Sequence, residues 1–236
     1  MAKKISIKET KTRQRKPKNE YEKQVKIMRD DSPVHVVEIE LIVSPSQDWK
    51  MQRIGEHLRV IRNTVHGKLL KNYKQMTRTK EYKRTVKQYR LLYERIEKAR
   101  SDQEIKQLEK EKKKLQQKLE ELRNQYEVTF EYARKYGEYL RKTKYTLPDA
   151  VTVWTVCEMA WNSIEGLLFR NAEKPYFYKR SDFITFQGKQ AERCIILKYD
   201  EKENAFFVSF NGMKFPLLVK REDLFIQETL SHIVNY

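Results

Sequence analysis

The chain has 236 residues, of which 50 are Lys or Arg and 33 are Asp or Glu, so its formal net charge is +17 at pH 7. This length allows one or two domains. With only 6 glycines and 6 prolines, the chain has no Gly-rich phosphate-binding loop and no collagen-like segment, which excludes phosphate-loop enzymes. The strong positive charge predicts a polyanionic partner, most commonly a nucleic-acid backbone, with an anionic membrane surface as the rival.

Hydropathy and cysteine usage indicate the compartment. No apolar run approaches the ~18–20 residues of a transmembrane helix, and the first residues lack the apolar stretch of a secretory signal. Cys157 and Cys194 are the only cysteines, and both lie in apolar surroundings, so neither a disulfide-stapled fold nor a zinc module is expected. We expect a cytoplasmic protein with two buried, reduced thiols and no membrane partner.

The charge is unevenly distributed along the chain. Residues 50–144 carry 28 basic and 13 acidic side chains, a net charge of +15, and residues 1–29 carry a net charge of +8. Residues 30–49 and 145–236 have net charges of −5 and −1. The basic charge therefore lies in an N-terminal arm and a long middle segment, whereas the aromatic-rich last third is nearly neutral and typical of a packed body.

The arm, residues 1–32, shows no sustained hydrophobic periodicity, which predicts a flexible segment rather than a folded element. Acidic residues are scarce in it, and Pro17 interrupts its basic run. Such a segment can lie along phosphates, although it could also serve only as a solubilising tail. We expect it to contact phosphates through Arg13, Arg15 and Lys16.

A single strand is predicted after the arm. From Val34 to Val43, β-branched apolar residues partly alternate with Glu38 and Glu40, as in a strand with one buried face. No other strand is expected in the basic middle segment. Because an isolated strand needs a partner, we expect this one to pair with a strand beyond Lys179.

An amphipathic helix follows the strand. Apolar residues recur at three- and four-residue steps from Met51 to Tyr73, and Ser46 and Asp48 supply a helix start. The opposite face is basic, so the helix can pack by one side and contact phosphates by the other. The candidate phosphate contacts on this helix are Arg53, Arg59, Arg62 and Lys68.

Two further helices are predicted to form a coiled-coil hairpin. The second helix covers Thr79 to Arg100, and Ser101 and Glu104 have the spacing of a capping box that starts the third. The third helix carries apolar residues at heptad a and d positions, interrupted by Lys112, at Ile105, Leu108, Leu115, Leu119, Leu122 and Tyr126. This seam favours helix two folded back antiparallel, with homodimerisation through the same seam as the alternative.

A fourth, more apolar helix is predicted from Asp149 to Phe169, with a broad surface suited to packing against the body of the protein. Trp154 and Trp161 are seven residues apart and share one face of this helix. Because their neighbours are apolar rather than basic, they are interpreted as core anchors in preference to base-stacking residues.

The remaining sequence has a β pattern. Short apolar or alternating runs are predicted as strands at Phe183–Phe186, Arg193–Tyr199, Ala205–Phe210 and Lys214–Val219, and Asn211-Gly212 is a strong hairpin signal. With Val34–Val43 covering the open edge, these strands predict a small barrel. The predicted fold is α+β: a small antiparallel β-barrel (OB-like wedge) formed by residues 33–45 and 175–236, with residues 46–174 as a large helical, partly coiled-coil insertion.

Two passages resemble a known family. The first is Leu41-Ile-Val-Ser-Pro45-Ser-Gln47, followed by a helix that carries Arg62-Asn63 and Lys68-Leu69-Leu70. The second is Ala160-Trp161-Asn-Ser-Ile164 ahead of the run from Lys174 through Lys179-Arg180 to Phe186. Both resemble the N-terminal part of TnpB-type transposon-encoded RNA-guided nucleases and of their relatives, the type V CRISPR effectors.

This resemblance implies a wedge domain that binds a guide-RNA scaffold and an inserted helical recognition lobe, which are followed in that family by a RuvC-like nuclease domain. It adds Asn63 to the candidate nucleic-acid contacts. It also draws attention to Tyr176, Tyr178, Lys179 and Arg180, because aromatic and basic side chains in alternation can combine base stacking with phosphate pairing. The alternative interpretation of these four is solvated residues at a barrel edge.

Catalysis is not expected from this chain. A RuvC-like site needs three or four converging carboxylates to hold two metal ions, and no such set is encoded before the chain ends at Tyr236. No histidine pair has metal-ligand spacing, and Cys157 has no local base. We therefore expect no catalytic residue, no metal and no cofactor.

The sequence thus predicts a non-catalytic module that binds a structured guide or scaffold RNA and an RNA–DNA duplex, with target DNA and a separate nuclease subunit as further partners. The alternative is a basic coiled-coil structural or protein-interaction protein, associated with a phage or a nucleoid. In that case the seam would bind another protein, and the basic surface would keep the chain soluble or on DNA.

Overall fold

The structure, a computed structural model, describes residues 37–99, 101–169, 175–182, 185–187, 194–220 and 222–234. These residues contain six helices and four strands. They divide into two compact units. The β unit comprises the described residues of 37–48 and 195–234, and the helical unit comprises those of 49–194.

The β unit contains one antiparallel sheet. Its strands are β1 (Glu40–Leu41), β2 (Ile195–Asp200), β3 (Ala205–Phe210) and β4 (Met213–Leu218), in the order β1-β4-β3-β2. The inner face of the hairpin includes Phe210 and Phe215, both almost fully buried. The two outer strands, β1 and β2, are not paired with each other, so the sheet is open.

The predicted OB-like barrel is therefore wrong. An OB-like barrel needs five strands, and the described residues supply four, of which β1 has only two residues. The run predicted as a strand at Phe183–Phe186 does not supply the fifth, because its described residues, 185 and 186, lie outside any strand. The general α+β description holds, with helix predominating over a small open sheet.

The predicted long-range pairing of the first strand is confirmed within the described residues. Glu40 lies opposite Leu218 and Leu41 opposite Leu217 in the antiparallel register, and the Ile42 amide donates to the Pro216 carbonyl at 2.9 Å. The pairing joins positions more than 170 residues apart. The strand itself is shorter than the predicted Val34–Val43, because among the described residues only Glu40 and Leu41 form it. Residues 34–36 lie outside the described residues.

The hairpin between β3 and β4 is confirmed at Asn211-Gly212. Both residues have positive φ, 48° and 73°, as a type I′ turn requires at its two central positions. Asparagine and glycine tolerate this left-handed backbone better than other residues. The turn therefore fixes the register in which Phe210 faces Met213.

The end of the chain was assigned to the β domain without a predicted element of its own. Residues Leu224–Val234 form a helix, capped by the Asp223 carboxylate, which accepts from the Ile226 amide at 3.1 Å. Apolar residues at Phe225, Ile226 and Leu230 follow helical rather than strand spacing. Leu230 is buried, so this helix has one packed face.

Five helices belong wholly or mainly to the helical unit: α1 (Pro45–Arg78), α2 (Lys80–Lys98), α3 (Asp102–Gln125), α4 (Phe130–Thr143) and α5 (Ala150–Phe169); the C-terminal helix Leu224–Val234 is α6. The predicted helices at α1, α2, α3 and α5 are confirmed. The separate helix α4 was not predicted. It is set off from α3 by Glu127, which has a positive φ of 56°, and by Thr129, whose hydroxyl caps the Tyr132 amide at 3.2 Å.

The hairpin of α2 and α3 is antiparallel, as predicted. The Tyr89 hydroxyl accepts from Gln116 at 3.2 Å, and Lys112, one turn earlier on α3, lies 5.0 Å from the ring centroid of Tyr93, one turn later on α2. The predicted capping box is only partly right, because Ser101 is the N-cap of α3 but its side chain makes no capping hydrogen bond.

The seam residues of α3 are buried or half-buried, and Leu108 and Leu122 are buried most fully. On α2 the facing side is formed by Thr85, Tyr89, Leu92 and Ile96, whereas Tyr93 is 49% exposed. The α2 helix of the same chain therefore covers the seam. No helix in the described ranges is long and apolar enough to cross a membrane.

Candidate nucleic-acid interface

Three candidate residues on α1, namely Arg59, Arg62 and Asn63, are brought together with those after Pro175 in the helical unit. Asn63 is the link between them. Its side-chain nitrogen donates to the Tyr178 carbonyl at 2.8 Å, and its side-chain oxygen accepts from the Tyr178 amide at 3.0 Å. One asparagine thus pairs both backbone groups of Tyr178, as a neighbouring strand would do, and fixes the segment 175–182 against α1.

Arg62 holds the same segment from a buried position. Its side chain donates to the Tyr176 carbonyl at 2.6 Å, and its guanidinium carbon lies 4.0 Å from the centroid of the Tyr178 ring. Only 2% of Arg62 is exposed, and burial lowers its pKa from the ordinary arginine value. In this arrangement Arg62 cannot reach a phosphate, so its role is to position the segment.

Arg59 is also engaged within the protein. It makes two hydrogen bonds to the Glu56 carboxylate, at 2.7 and 2.9 Å, and a longer one to the Tyr178 carbonyl at 3.3 Å. The bond to Glu56 raises the pKa of Arg59, and the same bond lowers the pKa of Glu56. A phosphate would have to compete with an intramolecular carboxylate for this guanidinium.

His66 completes the packing on this side of the segment. Its ring stacks on Phe177 with a centroid distance of 4.6 Å and an interplanar angle of 27°. The side chain is fully buried. Burial, followed by the nearby Arg62 charge, lowers the pKa of His66 to about 4, so the imidazole is neutral at physiological pH.

The other candidates on the segment are more accessible. Tyr176 is 52% exposed, with its hydroxyl bonded to the Asp182 carboxylate, and Tyr178 is half-buried beneath Arg62. Lys179 and Arg180 are exposed. Arg62 and Asn63 therefore hold the segment 175–182 against α1, and these two cations lie at its surface.

The remaining predicted contacts do not join this cluster. Arg53 is exposed and lies 5.7 Å from the ring centroid of Trp49, and Lys68 is partly exposed further along α1. Both are accessible to a phosphate. Arg13, Arg15 and Lys16 lie outside the described residues.

A row of exposed cations lies along α2 and was not predicted from the sequence. We name it the basic face; it consists of Lys80, Lys83, Arg84, Lys87 and Arg90, all of them exposed. Their steps of three and four residues place them on one side of the helix, opposite the seam. Within the described part of the chain none of the five takes part in an ion pair. Glu94 is the acidic residue that follows on this side.

The spacing of these five residues was visible in the sequence. The apolar stripe of α2 indicates the packed side of the helix. The same stripe defines the opposite side, since residues half a turn away from a seam must face solvent. Charge density along 68–98, with eleven basic and three acidic residues, points to the same helix.

Chemistry at cysteine or metal centres has no support in the described structure. Cys157 and Cys194 are free thiols, and burial raises the pKa of each to about 12, which leaves no reactive thiolate. Among the described residues, no group of three or more His, Cys, Asp and Glu side chains is placed to hold a metal ion.

No protein-family model matches the chain, and a search of curated proteins found no match for it. Its function must therefore be inferred from its own surface.

Proposed function

We propose that the chain is a nucleic-acid-binding module that holds a structured RNA on the basic face of α2. The observation that carries the proposal is the row of five exposed cations on one side of one rigid helix. From Lys80 to Arg90 the row extends about 15 Å at 1.5 Å per residue. Each phosphate that it neutralises releases counterions, which is the main source of affinity in such complexes.

Exposed cations outside α2 are proposed as further phosphate contacts. Arg53 and Lys68 on α1 are accessible, and Lys179 and Arg180 are exposed on the segment that Asn63 and Arg62 hold. Arg62 and Asn63 act as positioning residues in this proposal. The exposed cations would contact phosphates, whereas the buried arginine would keep the loop backbone in place.

RNA is preferred as the ligand because of the resemblance to TnpB-type proteins, in which a basic arm, a strand, inserted helices and β hairpins occur in this order. The proposal includes an RNA–DNA duplex and a separate nuclease subunit as further partners, and no catalysis by this chain itself. It also includes a cytoplasmic location, which the two free thiols support.

The alternative, a coiled-coil protein that binds another protein through its seam, has a structural cost. Because α2 already covers the seam of α3, a homodimer or a partner helix would have to open the hairpin or bind at its outside. The basic face needs no such rearrangement, since its five side chains are exposed.

Two variants test the proposal. Each loses three cations, one variant from α2 and the other from α3, so the two have the same net charge. The test variant carries Lys80→Gln, Arg84→Gln and Lys87→Gln on α2. The control carries Lys106→Gln, Lys110→Gln and Lys113→Gln, which remove three exposed cations from α3. Affinity for a labelled RNA hairpin is measured by fluorescence anisotropy at fixed salt.

We expect the α2 variant to bind about tenfold more weakly than the unmodified chain or worse, as the loss of several phosphate contacts predicts, and the α3 variant to bind within about threefold of it. Equal weakening by the two variants would mean that only total charge matters and that the basic face is not the interface. Unchanged binding by the α2 variant would exclude it directly.

A further inference from the structure

A groove with a volume of about 300 Å³ lies beside the basic face, close to the junction of α1 and α2. Its lining includes Tyr82, Lys83, Val86, Lys87, Arg90 and Leu91. The volume is at the lower end of the range for small-molecule sites. Three of the five cations of the basic face thus also line a cavity.

Two kinds of surface meet in this groove. Tyr82, Val86 and Leu91 supply apolar area, and Leu91 is 50% exposed on an otherwise cationic side of the helix. Lys83, Lys87 and Arg90 follow at steps of about one helical turn, roughly 4.5–6 Å along the axis. A flat apolar group with negative charge on either side of it would satisfy both kinds of surface.

The end of α1 gives the groove a fixed geometry. Thr79 has an extended backbone, with ψ 144°, between the two helices. Its hydroxyl donates to the Met76 carbonyl at 2.7 Å and accepts from the Tyr82 amide at 3.2 Å. Because this capped break is held by hydrogen bonds on both sides, Tyr82 is placed in the groove without needing a ligand.

We propose that this groove receives the base of one unpaired nucleotide of the bound RNA, with the flanking phosphates on Lys83, Lys87 and Arg90. The inference rests on the proposed function and specifies which feature of the RNA is recognised. Proteins read RNA mainly at loops, bulges and ends, where an unstacked base can be turned outward. The Val86 and Leu91 side chains would pack on that base, and Tyr82 would close the groove at the end nearer α1.

An acidic amphipathic peptide is the competing occupant. Such a helix binds through anchors at i, i+3, i+4 and i+7 in an elongated apolar groove. Here the apolar lining spans only the ten residues from Tyr82 to Leu91, about 14 Å, and every turn of that span also carries a cation. The short apolar floor and closely spaced cations suit a single nucleotide better than a peptide helix.

The test compares two RNA hairpins that differ in one unpaired adenine, which is replaced by the fluorescent analogue 2-aminopurine for detection. The protein variants are Leu91→Gln and Val86→Gln, which remove apolar contacts without changing charge. Leu224→Gln is the control, because Leu224 is an exposed leucine of the β unit. Thermal unfolding of each variant checks that the fold is retained.

We expect the unmodified chain to bind the bulged hairpin at least about fivefold more tightly than the paired one, the lower limit for stacking of one base. Leu91→Gln and Val86→Gln should remove this preference while affinity for the paired hairpin stays unchanged, and 2-aminopurine fluorescence should change on binding only when the groove is intact. Leu224→Gln should bind like the unmodified chain.

Equal affinity for the two hairpins would overturn the groove inference while leaving RNA binding on the basic face intact. Weakening of both hairpins to the same extent by Leu91→Gln would do so too. Failure of the chain to bind either hairpin would overturn the proposed function itself, and preferential binding of an acidic peptide in place of the bulged hairpin would assign the groove to a protein partner.

Discussion

Gly137 on α4 faces the sulfur of Cys157 on α5 so closely that a Cβ atom built on the glycine would overlap the Sγ atom, and it would also lie 3.5 Å from Cγ1 of Val153. Both Gly137 and Cys157 are buried. The crossing of these two helices therefore depends on the absence of a side chain at residue 137.

Gly137→Ala should lower the free energy of unfolding by about 1–3 kcal/mol, the usual effect of overpacking, although alanine is the better helix former. Urea unfolding measures the change. Adding Cys157→Ala should restore part of the loss, because the alanine Cβ at residue 137 would then lie 3.5 Å from Cγ1 of Val153 and 3.8 Å from Cβ of residue 157, both ordinary contact distances. Additive effects in the double variant would contradict this explanation.

The neutral state of His66 makes the helical unit sensitive to acid. Its folded-state pKa, about 4, is below the ordinary histidine value of about 6.5, so the unfolded chain takes up the proton first. The stabilisation is complete above pH 6.5 and is lost as the pH falls towards 4, by up to about 3 kcal/mol.

The measurement is the free energy of unfolding at several pH values between 7 and 4. His66→Phe keeps an aromatic ring against Phe177 and removes the titration, so its unfolding free energy should fall less steeply over this window. An unchanged slope in His66→Phe would show that other groups are responsible, among them His57, whose pKa is also lowered by burial.

Asn63→Ala should release the segment 175–182 from α1. The substitution leaves the Tyr178 amide without its partner and the Tyr178 carbonyl with only the longer bond from Arg59. Losing the partner of a buried polar group costs about 1–3 kcal/mol. Urea unfolding gives the stability, and proteolysis near Tyr178 reports local release. Asn124→Ala, at an exposed position of α3, is the matched control and should change stability little. Equal effects of the two variants would contradict the positioning role of Asn63.

The purified chain should cleave neither RNA nor DNA in the presence of Mg²⁺ or Mn²⁺, because the proposal assigns it binding without a two-metal site. Incubation with labelled hairpin RNA and duplex DNA, followed by denaturing electrophoresis, checks this. Cleavage that co-purifies with the chain through successive columns would contradict it. Cleavage that needs a second polypeptide would agree with a separate nuclease subunit.

Local patterns predicted the helices and hairpins well because each depends on neighbouring residues. The seam of α3 and the turn at Asn211-Gly212 needed only spacing and backbone preference. The pairing of Glu40–Leu41 with β4 could also be predicted, since an isolated strand must find a partner. The prediction of a barrel was wrong because closure of a sheet depends on how many strands form. The residues from Leu224 onward have helical periodicity and add no strand.

The candidate site was harder to predict because charge in a sequence does not reveal burial. Arg62 has the sequence context of a phosphate contact, yet its helical position turns it inward, where it donates to the Tyr176 carbonyl and lies over the Tyr178 ring. Arg59 is likewise paired with Glu56, three residues earlier. The cations of α2 remain exposed because the seam occupies the opposite side of their helix.

The most direct test of the proposed function is the salt dependence of RNA binding by the unmodified chain and by the Lys80→Gln, Arg84→Gln, Lys87→Gln variant. The proposal predicts that the affinity of the unmodified chain falls about tenfold or more between 50 and 200 mM salt. In a plot of log affinity against log salt, the slope for the variant should be shallower by about 3, which is about 1 for each phosphate contact removed. A fall of less than about threefold for the unmodified chain, or equal slopes for the two proteins, would contradict RNA binding by the basic face of α2.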